Sequence, residues 1–259
     1  MSRDFLFIIV IWVILCAIAI PLWVLTVNTE QAVFYTHYYS FMQFVTSMGA
    51  ALLCYRTMMI FGPNDNTGTA WELLSIGLFF WSAGAVLEAV YPVLYQGVYA
   101  PFPWYADIGF LMLVPFVLLA LKNFRKNVNV DIPLAGWIAA LVAFIGAFSL
   151  ALWINIEGFQ ALGPLPFFVT LAYIIFDSIL LAMTVATASI LVGSVISRPW
   201  WFMLVGLFIF YLGDITYAFL RNIDKPDAGG VILDLTWPIA FGLIAIAATT
   251  ARAIYKESR

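Results

Sequence analysis

Charge is what this chain most conspicuously lacks. Lys, Arg, Asp and Glu make up 10% of its 259 residues, against roughly a quarter in a water-soluble domain. With 64% of the residues hydrophobic and a mean hydropathy of +1.02, the composition is that of a polytopic membrane protein with almost nothing left over for a soluble domain. The net charge of -3 is small and dispersed, which argues against a nucleic-acid partner. There is one histidine, so bis-His haem ligation within the chain is excluded. The two cysteines, Cys16 and Cys54, fall inside apolar runs and read as packing groups rather than as a disulfide or metal ligands. Residues 231–251 hold no lysine, which excludes a retinal Schiff base in the last helix. Glycine-rich phosphate loops, His-Glu-x-x-His, Gly-x-Ser-x-Gly and cysteine pairs at metal spacing are all absent. The expectation is therefore a protein that is not an enzyme, and no cofactor is indicated.

What is present is a series of apolar runs. About 20 residues are needed for a helix to cross a bilayer. Eight segments qualify, near 5–27, 34–61, 70–92, 103–122, 132–154, 165–195, 199–221 and 230–254. The first reads as a retained helix, because a cleavable leader would have a shorter apolar core and a small-residue cleavage site. Turn-forming residues separate the runs, as at Gly62-Pro63-Asn64-Asp65-Asn66 and Asp224-Lys225-Pro226-Asp227. The predicted fold class is all-α, in one transmembrane domain.

Basic residues set the expected orientation. Arg3, Arg56, Lys122, Arg125, Lys126, Arg198, Arg252, Lys256 and Arg259 fall on the side of the N-terminus, and only Arg221 and Lys225 on the other, nine against two of the eleven. The positive-inside rule then puts both termini in the cytoplasm, in an inner membrane. The opposite side is rich in aromatics: Tyr35, Tyr38, Tyr39, Tyr91, Tyr95, Tyr99, Trp104 and Tyr105. They form an interfacial belt or, in part, the roof of an outward-facing cavity.

Segments three and seven resemble each other. Gly77, Gly84, Glu88 and Ala89 lie over Gly206, Gly213, Tyr217 and Ala218 at an offset of 129 residues. Segments four and eight align near 127, since Asp107 precedes a run closing at Lys122 and Asp234 one closing at Arg252. A four-plus-four tandem repeat, 1–130 and 131–259, accounts for both. Halves that each cross an even number of times share an orientation, and function is then expected between them.

Acidic residues inside apolar runs are the functional signal, because a carboxylate in hydrocarbon is costly and needs a partner or water. Asp214 lies about 22 Å along the seventh segment at 1.5 Å per residue, and Asp177 lies near the middle of the sixth. Asp107 and Asp234 fall in the first turns of the fourth and eighth, and Glu88 lies near the outer end of the third. Each has a plainer alternative. Asp107 and Asp234 can answer a positive helix N-terminus, Glu88 can reach the interface, and Asp177 and Asp214 can bond to hydroxyls of Thr170, Ser178, Thr216 or Tyr217. His37, in Thr-His-Tyr-Tyr, is a weak metal candidate and otherwise an interfacial residue. The functional readings are a site for a small molecule or cation entering from outside, a hard-cation site built of oxygens, or a proton relay in a carrier.

Four stretches are similar to the membrane-embedded input region that precedes diguanylate cyclase and histidine kinase domains in bacterial signalling proteins. They are Ala106-Asp107-Ile-Gly-Phe110-Leu111 with Pro115, Phe176-Asp177-Ser178, Gly213-Asp214-Ile-Thr-Tyr217-Ala218, and Asp234-Leu-Thr-Trp237, spanning roughly residues 70–250. The resemblance implies a sensor that passes a helix shift inward, and it adds Tyr217 and Trp237 to Asp107, Asp177, Asp214, Asp234 and Glu88 as ligand-binding candidates. Because the sequence closes at Arg259 with no output domain, the expected readout goes to a separate protein partner in the membrane or cytoplasm. The expected role is thus a ligand- or cation-sensing module or an accessory subunit of a membrane complex. The alternative is a proton- or cation-coupled carrier of small solutes.

Overall fold

The computed structural model describes residues 3–27, 29, 32–95, 100–160, 163–191, 198–222 and 229–257. They form α1 (Arg3–Thr26), α2 (Ala32–Phe61), α3 (Asn66–Leu94), α4 (Tyr105–Val128), α5 (Leu134–Asn155), α6 (Pro164–Ala188), α7 (Arg198–Asn222), α8 (Gly230–Asp234) and α9 (Thr236–Glu257), with a short 3-10 turn at Gly158–Gln160. The protein is all-helical among these residues, with eight spans long and apolar enough to cross a membrane, α8 and α9 making the last together. The expected turn at 224–227 and Tyr99 lie outside the described residues.

Local chemistry moves several helix ends away from the apolar runs. α3 starts at Asn66 rather than near 70, because the Asp65 carboxylate accepts hydrogen bonds from the backbone N–H of Thr67 (2.7 Å) and Gly68 (3.2 Å). That cap satisfies otherwise orphaned donors. α4 continues past Lys122 until Asn129, in the left-handed conformation at φ 49°, donates its N–H to the Arg125 carbonyl. α6 stops at Ala188 rather than 195. The eighth span breaks at Leu235. There Pro238 has no N–H to continue the ladder, and the Thr236 hydroxyl donates to the Leu233 carbonyl at 2.7 Å.

The helices do not share the core equally. α3 packs on α2 and α4, α9 packs on α7 and α2, and α5 pairs with α6. Trp81 of α3 stands at the centre, its ring 4.5 Å from Phe241 of α9, 5.1 Å from Phe110 of α4 and 6.5 Å from Phe210 of α7. The last span is 61% buried, and α1 only 11%. α1 therefore turns most of its surface outward, as lipid contact permits. Hydroxyls inside the spans mostly bond back along their own helix, as Thr46, Ser178 and Thr184 do to carbonyls four residues earlier. A few bridge helices instead: Thr57 donates to the Ala248 carbonyl (3.0 Å) and Ser75 to the Ala51 carbonyl (2.8 Å).

The α3–α4 crossing depends on missing side chains. A Cβ at Gly109 would stand 2.5 Å from the Phe80 carbonyl oxygen and 2.8 Å from the Gly84 Cα, both backbone atoms that cannot rotate aside. Small residues are what bring helix backbones this close in a membrane. Gly109→Ala is expected to destabilise the protein by about 1–3 kcal/mol through overpacking. Gly146→Ala, where a Cβ meets nothing within 4 Å, is expected to be neutral or slightly stabilising. Thermal unfolding of the two variants side by side checks the contrast.

Candidate functional site

Three of the acids, Asp107, Asp214 and Asp234, accept hydrogen bonds from tyrosine or tryptophan donors on neighbouring helices. Asp107 sits three residues after the Trp104 cap of α4. One carboxylate oxygen accepts the Trp104 backbone N–H at 2.6 Å, and the other accepts the Tyr173 hydroxyl of α6 at 2.8 Å. The helix-end role and a tertiary role thus belong to the same side chain. Asp234, the last residue of α8, accepts the Tyr35 hydroxyl of α2 at 2.5 Å. Asp214 of α7 accepts the Trp237 indole N–H of α9 at 2.8 Å. None of these donors is the hydroxyl nearest in sequence. Ser178 spends its own on the Ile174 carbonyl.

A second set of contacts joins these bonds into one layer. Tyr173 and Asp177 are one turn apart on α6 and so share a face. Tyr173 lies within charge–charge range of Asp107, Asp214 and Asp177, and Asp177 within range of Asp214. Tyr211, one turn before Asp214 on α7, also lies within charge–charge range of Asp177. On α2, Tyr35 and Tyr39 stack with centroids 6.4 Å apart, and Tyr39 lies near both Asp234 and Tyr217 while accepting a hydrogen bond from the Gln43 amide. Tyr217 meets Trp237 edge-on at 6.2 Å. Hydrogen bonds and ring contacts join Asp107 to Tyr173, and Asp214 through Trp237 to Tyr217; Asp177 lies within charge–charge range of Asp214, and Tyr39 of Tyr217 and Asp234.

Not every acid in the layer is held alike. Asp177 is half-buried and its carboxyl makes no hydrogen bond among the described residues, although a second carboxyl lies within charge–charge range. Residues 164–188 contain no Lys or Arg, and neither do 199–220. Glu88 stands exposed on α3 within range of Asp107, at the edge of the layer.

His37 does not join the acids. It lies two residues from both Tyr35 and Tyr39, about 200° around α2 at 100° per residue. It is exposed and lines an apolar groove of about 300 Å³ between α2 and α3 with Phe41, Phe44, Val86 and Val90. Among the described residues no three His, Cys, Asp or Glu side chains gather as a metal site needs. The site residues that sequence reasoning passed over are Tyr173, Gln43 and Tyr211. Their signal was spacing, since Tyr173 precedes Asp177 by one helical turn as Tyr35 precedes Tyr39.

The chain matches no protein-family model, no curated protein and no solved structure at a significant level.

The Tyr173–Asp107 bond ties α6 to α4, and its strength is measurable. In a double-mutant cycle of Tyr173→Phe and Asp107→Asn, the expected coupling is about 0.5–1.7 kcal/mol, the range for interhelical hydrogen bonds in membranes. Tyr105→Phe, an exposed neighbour with no hydrogen bond to Asp107, is expected to show no coupling in the same unfolding assay.

Proposed function

We propose that this is a non-enzymatic integral membrane protein that binds a small organic cation or hydrogen-bonding ligand at the layer of Asp177 and Asp214, and acts as a sensor or as the sensing subunit of a membrane assembly. One observation carries the reading: Asp177 lies within charge–charge range of Asp214 inside a span, its carboxyl makes no hydrogen bond among the described residues, and α6 offers no basic side chain. Repulsion between two carboxylates in a poorly polarisable medium is relieved when a positive charge sits between them. An organic cation suits the layer better than a hard metal ion, because its acids are spaced by tyrosine and tryptophan rather than gathered as three oxygen ligands.

The same proposal includes a tandem four-plus-four architecture. A Cβ at Gly77 would meet the Leu113 carbonyl and the Phe116 Cβ, and one at Gly206 would meet the Ala240 carbonyl and the Leu243 Cβ. Both partner pairs are related by 127 residues, the offset at which Asp107 aligns with Asp234. In such a scheme the Tyr35–Asp234 and Tyr173–Asp107 bonds run crosswise, each from the second helix of one half to the fourth of the other. A ligand that loosens one bond would then shift the halves against each other. The similarity of Asp107, Asp177, Asp214 and Asp234 to the input region of bacterial signalling proteins favours sensing. The basic residues favour an inner membrane with both termini in the cytoplasm, where a protein partner would take up the shift.

The second reading, a proton- or cation-coupled carrier, rests on the same neighbouring pair of acids. Purified protein titrated with alkylammonium ions, and separately with Na+ and Ca2+, distinguishes the two. A bound organic cation at about 100 times its Kd is expected to stabilise the fold by about 2.7 kcal/mol, raising the Tm by several degrees. The shift should vanish in Asp177→Asn and persist in His37→Gln. No stabilisation by any cation, or equal stabilisation of Asp177→Asn, rejects the site. Solute flux in proteoliposomes that falls with Asp214→Asn would replace the sensor by the carrier.

A further inference from the structure

The end of α4 remote from the Asp107 cap carries a site that the acid layer does not use. Lys122, Arg125 and Lys126 close the helix, and with Asn129, Val130 and Asp131 they line a cavity of about 250 Å³. The lining holds three cations and one carboxylate, a net charge of +2. We propose that this cavity binds the phosphate headgroup of an anionic phospholipid.

Three features support it. The first is that Arg125, one of the three cations, is held in place. Phe124 is buried and anchors the last turns of α4 in the core. The Asn129 N–H ends the helix on the Arg125 carbonyl at 3.1 Å, and the Arg125 guanidinium lies over the Trp137 ring of α5, 6.0 Å from its centroid. Stacking on an indole fixes the arginine while leaving its N–H groups free for an anion. The second is size. At about 250 Å³ the cavity has room for several waters or a phosphate group.

The third feature selects a lipid over a soluble phosphate. Leu134, Ile138 and Leu141 are spaced at three or four residues around Trp137 on α5, and their side chains are exposed by 76%, 54% and 58%. They form an apolar face adjoining the basic residues, along which acyl chains can lie. A basic cluster between spans, at a helix end and beside an apolar face, has the chemistry that recognises anionic headgroups at the membrane surface. Asp131, exposed at the rim, opposes the anion and sets the affinity below what the three cations alone would give.

The test is retention of phosphatidylglycerol, against phosphatidylcholine and inorganic phosphate, by the full chain purified in a zwitterionic detergent and weighed by native mass spectrometry. Wild-type protein is expected to keep phosphatidylglycerol in preference to phosphatidylcholine. Each Lys or Arg at an anionic surface contributes about fivefold, so K122Q/R125Q/K126Q is expected to lose on the order of 100-fold in affinity. Should the triple variant fail to purify as a single species, Arg125→Gln alone is expected to lose about fivefold. Asp131→Asn is expected to bind more tightly, a gain that a merely disrupted fold would not produce. Equal retention of the two lipids, or unchanged affinity in the glutamine variants, overturns the proposal. Displacement of the lipid by millimolar inorganic phosphate also overturns it, in favour of a soluble anion.

Discussion

A tyrosine hydroxyl meeting a carboxylate across two helices is the contact on which the arrangement of the acids depends. In hydrocarbon there is no water to receive a side-chain oxygen, so an acid on one helix fixes the rotation of whichever neighbour carries its donor. Asp107 does this to α6 through Tyr173, and Asp234 does it to α2 through Tyr35. With α6 so oriented, Asp177 one turn further along comes within charge–charge range of Asp214. The Tyr173–Asp107 bond therefore helps to place an acid, Asp177, that it does not touch.

Packing supplies the stiffness those bonds require. Trp81 contacts aromatic rings on α4, α7 and α9 at once, while glycines let α3 and α4 approach to backbone contact. Against this rigid seam the last span is interrupted at Leu235, between Asp234 and Trp237. The two residues that reach Tyr35 and Asp214 thus stand on either side of the break. Trp12 of α1 donates its indole N–H to the Pro238 carbonyl at 3.1 Å, bracing the interruption from outside.

The eight spans were legible in the sequence because bilayer thickness imposes their length, whatever else the residues do. Their ends were less so: Asp65 is a polar cap lying outside the apolar run that hydropathy detects, and α3 begins four residues early because of it. Asp107, Asp177, Asp214 and Asp234 stood out because a charge in such a run is anomalous. Tyr173 did not, because tyrosine is common wherever a span meets the interface, and only its rotation around α6 distinguishes a donor from a belt residue. That rotation is poorly encoded. Lipid is as apolar as a protein core, so the two faces of a span carry nearly the same residues, and α1 and α2 show almost no apolar periodicity. His37 shows the same limit from the other side, adjacent in sequence to the site tyrosines and turned away from them in the fold.

The separation of bonded partners along the chain has a consequence for biosynthesis. The contacts between α3 and α4 join neighbours and can close soon after both helices leave the translocon. The Tyr173–Asp107 bond spans 66 residues, and the Tyr35–Asp234 bond spans 199. Until the final helix has been inserted, Tyr35 lacks its carboxylate partner and Asp214 its indole, so both bonds are completed only by the last span.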